Sequence, residues 1–356
     1  MLRVAVAGAG AFGQSHLRVL RELESAGAGV KLSAVVEPDA ARGSEAAAKY
    51  GIPVFNSVEE LLAAGQPLEA AFVAVPTVKH LAVAGALLDA GMDVLVEKPL
   101  AANLDEADDL IARAQRGGRI LQPGHLERFN PAVLAVEPRL KRPMFFEAHR
   151  LSVFTPRSLD VDVVLDLMIH DLDIVLSVTP SPVREVRAVG LPIVSPRVDI
   201  ANVRVEFESG CVANFTASRV STERVRKLRF FEPRQYVSID YARQDLLVIR
   251  MDERVPAEIA AAAAGGKLGA ETLKKLMAGA AEGPAPGLSF ARPEVTPGEP
   301  LRLEIESFLQ SVRTRCAPKV TARQGREALK LALEIQTAMA AHAQRAGLGD
   351  FFETRY

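Results

Sequence analysis

Cysteine is scarce. The chain carries two in 356 residues, Cys211 and Cys316, far apart and in no metal-like spacing. That excludes a disulfide framework or a thiolate metal cluster, and both are expected as thiols in a reducing compartment. The six histidines show no ligand pairing either, so no metal is expected. An excess of charge of one sign is also missing: 43 basic against 44 acidic residues leave a formal charge of -1. Without a bulk field to draw in nucleic acid or an anionic membrane, the favoured partner is a small molecule or a protein. No apolar run approaches the roughly 20 residues that span a bilayer. Met1-Leu2-Arg3 runs straight into the strand at 4–7 with no apolar signal segment. A cytoplasmic protein is expected. No internal repeat is evident.

What is present divides in two. Residues 1–122 alternate short β-rich runs (4–7, 32–36, 70–75, 93–96 and 120–122) with helical stretches (14–24, 40–50, 58–63, 80–90 and 104–116). The strands read as continuous apolar runs, as in a parallel sheet buried on both faces. Alternating β and α segments predict a doubly wound α/β domain of Rossmann type. Residues 123–356 have another texture, an α+β domain with a mostly antiparallel open sheet of about six strands. Those strands come from runs near 144–151, 183–189, 200–206, 212–219, 227–231, 236–240 and 246–251, interrupted by one strong helix over 164–177. An open sheet has a face and edges to cover, and self-association through that face, as a homodimer or homotetramer, is one solution. Residues 253–298, with an alanine run at 260–264 and the Pro/Gly-rich Gly283-Pro284-Ala285-Pro286-Gly287, read as a helical or mobile insertion. Two helices, at 300–315 and 322–346, close the chain.

Gly8-Ala9-Gly10-Ala11-Phe12-Gly13 is a G-x-G-x-x-G that follows a strand and opens a helix. In that context it predicts dinucleotide binding. Gly8 permits the tight turn, Gly10 a close backbone approach, and Gly13 tight helix–strand packing, with the pyrophosphate on the helix N-terminus. Glu37 closes the second strand, where an acid meets the adenosine ribose hydroxyls. A carboxylate there repels a 2′-phosphate, and the nearest arginine is Arg42, so NAD is favoured over NADP. The next motif, Glu97-Lys98-Pro99, closes the strand at 93–96, where α/β sheets collect their active groups.

Four marks together resemble the glucose-fructose oxidoreductase/inositol dehydrogenase (Gfo/Idh/MocA) family: the glycine motif, a Pro76-Thr77-x-x-His80 turn, Glu97-Lys98-Pro99, and Asp166-x-x-x-His170. The resemblance covers nearly the whole chain, with 253–298 fitting worst. It implies an NAD-dependent oxidoreductase acting on a CH–OH group. Pro76, Thr77, His80, Glu97 and Lys98 would lie at the cofactor, Lys98 would reach the reacting hydroxyl, and Pro99 is a candidate for a cis peptide. Spacing i,i+4 puts Asp166 and His170 on one helix face. There the carboxylate orients the imidazole and raises its basicity, which makes His170 the general base and Asp166 its orienter. Asp171 and Asp173 read as ordinary helix acids. The family pattern often has glycines just before this aspartate. Here Asp162-Val163-Val164-Leu165 stand there, which narrows the approach or marks a subfamily.

Three stretches, 124–131, 163–175 and 227–241, resemble the branch of the family that oxidises the 3-hydroxyl of UDP-N-acetylglucosamine, in some bacteria on the way to lipid A or surface glycans. A UDP-sugar needs cations for its diphosphate. Arg128 and Asn130 are the substrate candidates beside Lys98 and His170, with Arg150, Arg157 and Lys227 behind them. His125 is either a structural hydrogen-bonder or a ligand. The alternatives are a polyol or free-sugar dehydrogenase, which needs no cationic pocket, and a non-catalytic NAD-binding scaffold, against which intact Lys98, Asp166 and His170 argue.

Overall fold

A computed structural model describes residues 1–154, 161–251 and 288–348. Arg157, the alanine run and the expected helix near 270–281 lie outside the described residues. Contacts divide the chain into two compact units. One comprises Met1–Asn130, Val164–Ser177 and Gly298–Thr337; the other holds the described residues of Pro131–Val163, Val178–Pro297 and Ala338–Tyr356.

The first unit is built on a six-stranded parallel sheet: β1 (Leu2–Ala7), β2 (Val30–Val36), β3 (Val54–Phe55), β4 (Ala70–Val73), β5 (Asp93–Glu97) and β6 (Leu121–Gly124). Their spatial order is β3-β2-β1-β4-β5-β6. The two-residue β3 is too short to leave a pattern in the sequence. Residues of β1 alternate between faces with period two. Val4 and Val6 join one core with Leu17, Leu20, Phe72 and Leu95, whereas Ala5 and Ala7 join another with Val73, Leu87, Val94 and Val96. That explains the unbroken apolar runs.

Helices α1 (Ala11–Ser25), α2 (Ala40–Tyr50), α3 (Val58–Ala63), α4 (His80–Asp89) and α5 (Leu104–Gly117) connect the strands. Asp39, Ser57 and Asn103 cap α2, α3 and α5 by accepting a backbone N–H of the first turn. At α5 the bond is reciprocal, Asn103 Nδ2 donating to Glu106 Oε1 at 2.9 Å. Chain order reverses where β2 and β4 flank β1, and that crevice is where a doubly wound sheet takes its ligand.

Residues 164–177, expected as a single helix, start as a wide π-helical turn, Val164–Met168, and continue as α7 (Ile169–Val178). Helix α8 (Pro300–Thr314) aligns Leu301, Ile305, Phe308 and Val312 in the first core of the Rossmann sheet. Phe308 meets Phe72 edge-on at 5.3 Å. Leu329, on α9 (Ala322–Arg345), enters the second core. Helix α8 and the part of α9 up to Thr337 thus carry apolar side chains into the cores of the first unit, and the rest of α9 falls in the second.

The second unit holds α6 (Pro131–Val136) and an eight-stranded sheet rather than one of about six: β7 (Phe145–Leu151), β8 (Val183–Leu191), β9 (Ile200–Phe207), β10 (Val212–Ser218), β11 (Val225–Glu232), β12 (Gln235–Asp240), β13 (Asp245–Met251) and β14 (Leu288–Ala291), ordered β14-β13-β12-β11-β7-β10-β9-β8. Among the described residues of this sheet, only β7 and β10 pair in parallel. Strand β14 falls within the stretch read as an insertion and pairs with β13. Burial alternates along β7, Phe146 and Ala148 going inward, so one face of the sheet is solvated.

Candidate active site

The glycine loop closes β1 into α1. Gly8 adopts φ +95°, a left-handed value, and a Cβ there would lie 2.4 Å from the carbonyl oxygen of Ala74. A Cβ on Gly13 would lie 2.0 Å from the oxygen of Gly8, whereas one on Gly10 would meet no protein atom within 4 Å. Gly10 faces open space: with Gly8, Ala11 and Phe12 it lines a cavity of about 710 Å³ that reaches Glu37, Pro76 and Val83. No side chain caps α1, and its first turn has no acid. Its free N–H groups and helix dipole therefore suit an anion. The residues present fit a dinucleotide.

Glu37 is 3% exposed. One oxygen accepts from the N–H of Ala9 at 2.8 Å; the other accepts from the N–H of Asp39 at 3.0 Å and from Arg42 at 2.9 Å. Burial alone would raise its pKa, but these donors, Arg42 foremost, hold it below the ordinary carboxylate range. Arg42, merely the nearest arginine in sequence, is thus the partner of Glu37 and part of the cavity wall.

At the far end of β5, Glu97 turns its carboxylate inward to His16 of α1, with Oε1 2.7 Å from Nε2. It also lies over Gly124, where a Cβ would come within 3.0 Å of its carboxyl group. Lys98 precedes a cis peptide bond to Pro99. Its ammonium donates to the carbonyl oxygen of Asp166 at 2.6 Å and to that of Leu165 at 3.4 Å, and lies 3.6 Å from Asp166 Oδ1. The wide turn at Val164–Met168 is what presents those carbonyls. The structure thus ties Asp166 to Lys98, a partner beyond the imidazole that sequence spacing suggested. His170 follows on α7, half-buried with Nδ1 turned inward.

Other candidates sit differently. Pro76 lines the cavity and Thr77 begins the short 3-10 turn Thr77–Lys79, but His80 is 1% exposed behind that turn with both ring nitrogens on carbonyl oxygens. Arg128 and Asn130, expected at the substrate, are buried in and beside the 3-10 turn Leu126–Phe129. Arg128 pairs with Asp173 at 3.7 Å and Asn130 donates to Glu127 at 3.2 Å, so a substrate diphosphate would have to displace an internal ion pair. Asp171 is buried as well. His125 Nδ1 lies 4.0 Å from the same Asp173, and burial keeps this imidazole below the usual histidine range despite that charge. In the second unit, Arg150 is buried over the ring of Tyr241 and Lys227 sits half-buried on β11. Three residues went unread in the sequence. Lys79 lines the cavity; His16 is buried against Glu97; Glu304 on α8 is fully buried with neither oxygen hydrogen-bonded. Burial, reinforced by the charges of Glu97 and Asp173, raises its pKa well above the usual range.

Comparison with known proteins bears on this arrangement. Residues 2–125 match the model of the oxidoreductase family with NAD-binding Rossmann fold, and residues 133–234 match the GFO/IDH/MocA C-terminal domain. A UDP-N-acetylglucosamine 3-dehydrogenase from Acidithiobacillus ferrooxidans is 32% identical over 345 residues, 97% of this chain and 99% of that protein. Its solved structure superposes with a TM-score of 0.81, covering 96% of this chain and 98% of that one. An inositol 2-dehydrogenase from Leifsonia xyli is 33% identical over 52% of this chain and 56% of its own. A levoglucosan dehydrogenase in complex with NADH and L-sorbose shares the fold, with a TM-score of 0.76 at 15% identity over 96% of this chain and 97% of its own. The chain belongs to the GFO/IDH/MocA family of NAD-binding oxidoreductases.

Proposed function

We propose that the protein oxidises the C3 hydroxyl of a nucleotide sugar, UDP-N-acetylglucosamine or a near relative, to the 3-ketone, using NAD. The observation that carries this reading is the end-to-end similarity to the UDP-N-acetylglucosamine 3-dehydrogenase. The inositol dehydrogenase matches, over about half the chain, support the runner-up, a polyol or free-sugar dehydrogenase.

Gly8, Gly10, Ala11, Phe12 and Gly13 would hold the pyrophosphate, Glu37 the adenosine ribose, and Pro76 with the Glu97-Lys98 turn the nicotinamide end. Bound there, NAD supplies the acceptor for the hydride that leaves the sugar carbon. The Lys98 ammonium, fixed by the two carbonyls and Asp166, donates to the reacting hydroxyl and steadies the developing alkoxide. His170 takes the hydroxyl proton at Nε2, since Nδ1 is turned inward. Asp166 holds Lys98 charged and in place. Thr77 orders the turn that carries Pro76. Arg128 and Asn130 shape the substrate side from within.

Purified protein with NAD and a panel of UDP-sugars tests the assignment. NADH formation with UDP-N-acetylglucosamine is expected, and turnover of free inositol or glucose in its place would establish the runner-up. Lys98→Met and His170→Ala should each lower kcat by on the order of a hundredfold or more. Unchanged turnover in both would overturn the mechanism.

The solvated sheet face supports self-association. Phe145, Phe231, Tyr236, Ile249 and Phe290 pair directly across five strands, and Phe290 is 54% exposed. A row this apolar facing water favours a second copy. Light scattering should give a dimer or tetramer that Tyr236→Asp dissociates. A cytoplasmic setting fits the two free thiols, Cys211 buried and Cys316 exposed, and a chain in which no described helix could cross a membrane.

A further inference from the structure

His80 opens α4, directly behind the turn that carries Pro76. Its Nδ1 stands 2.9 Å from the carbonyl oxygen of Pro99 and its Nε2 3.1 Å from that of Val75. Val75 lines the cofactor cavity, and Pro99 is the residue after Lys98. The ring therefore bridges the loops that follow β4 and β5 without itself lining the cavity.

A carbonyl oxygen only accepts, and a neutral imidazole carries a single N–H. The imidazolium would serve both carbonyls, but burial disfavours it and outweighs the pull of the carbonyls and of Glu97. The neutral ring must choose. Pro99 is buried and Val75 half-buried, so leaving the Pro99 oxygen without a donor costs more. The shorter distance points the same way.

We propose that His80 is a positioning residue for Lys98: as the Nδ1–H tautomer it pins the Pro99 carbonyl, and through that turn it holds the Lys98 ammonium on the carbonyls of Leu165 and Asp166. The role rests on Lys98 being the group that meets the reacting hydroxyl. It differs from the contact with cofactor that the sequence motif suggested, because a buried bridge shifts the catalytic lysine and leaves the cofactor cavity intact.

Side-chain isosteres separate the two nitrogens. The amide of His80→Asn can reproduce an Nδ1 donor to Pro99, and that of His80→Gln an Nε2 donor to Val75. Turnover, NADH affinity from nucleotide fluorescence without sugar, and thermal melts are measured for both, beside Lys98→Met. His80→Asn should keep kcat within about fivefold while His80→Gln loses on the order of a hundredfold, the scale of a small misplacement at a reacting centre. NADH affinity should stay within about threefold in both. Equal losses in the two variants, or a parallel collapse of NADH affinity, would overturn the proposal. If Lys98→Met keeps its turnover, the active-site reading itself fails; if it loses turnover and His80→Gln does not, only the positioning role fails. Nitrogen-15 shifts of His80 in the wild-type protein give a measurement free of folding defects, and an Nε2–H tautomer there would also refute it.

Discussion

His16 Nε2 lies 2.7 Å from Glu97 Oε1, joining the helix that carries the glycine loop to the turn that carries Lys98. Both groups are buried, so each depends on the other for solvation. Removing His16 leaves a buried carboxylate without this partner, at a cost of about 1–3 kcal/mol. His16→Ala should destabilise by that amount, and Glu97→Gln in the same background should cost much less than it does alone. Denaturation of the four proteins of the cycle measures the coupling. Additive losses would show that the contact contributes nothing.

Gly10 and Gly13 should separate ligand binding from folding. An added methyl at Gly13 runs into the Gly8 carbonyl, so Gly13→Ala should cost about 1–3 kcal/mol, as overpacking does. At Gly10 the methyl meets no protein atom within 4 Å. Gly10→Ala should therefore melt like the wild type yet bind NADH at least about tenfold more weakly, a loss of about 1.4 kcal/mol. Paired melting and nucleotide-fluorescence titrations decide it.

Glu37 holds Arg42, and each restrains the other's choice of ligand. NADPH should bind at least about tenfold more weakly than NADH, because a 2′-phosphate would confront a buried carboxylate. Glu37→Ser frees Arg42 and should move the NADPH-to-NADH affinity ratio toward NADPH by about tenfold or more. The ratio, read by titration of each nucleotide, is the measurement; a ratio that does not move would remove Glu37 from cofactor choice.

Glu304 should make the protein less stable as pH rises. Its folded pKa is raised by burial first, then by Glu97 and Asp173, so the folded state holds its proton more tightly than the unfolded chain. Stability from this group is complete below the ordinary glutamate pKa and declines as pH climbs toward the folded value, by about tenfold in the folding constant per pH unit. Glu304→Gln, which mimics the neutral acid, should match the wild type at low pH and exceed it increasingly above. Denaturation midpoints across pH test this, and parallel profiles for the two proteins would exclude it.

Much of this was legible in the chain itself. The strands of the first unit are apolar throughout because both faces are covered, and a local motif such as Gly8 to Gly13 is defined by its own backbone needs. Glu97, Lys98 and Pro99 stand together in sequence because they form one turn. The family, its NAD-binding fold and the class of reaction follow from such local signals.

What sequence order could not convey is which distant residues share a site. Residues 97 and 16 meet because β5 lies beside β4, and β4 beside β1, under α1. Arg42 reaches Glu37 only once the end of β2 and the first turn of α2 face each other. Asp166 finds Lys98 through a wide helical turn that i,i+4 spacing does not anticipate. Arg128, a cation suited to a diphosphate by composition, is spent on Asp173 inside the unit. Residue type and near neighbours determined the chemistry this protein carries; burial and long-range packing, which set where each charge finds its partner, decided which residues are placed to use it.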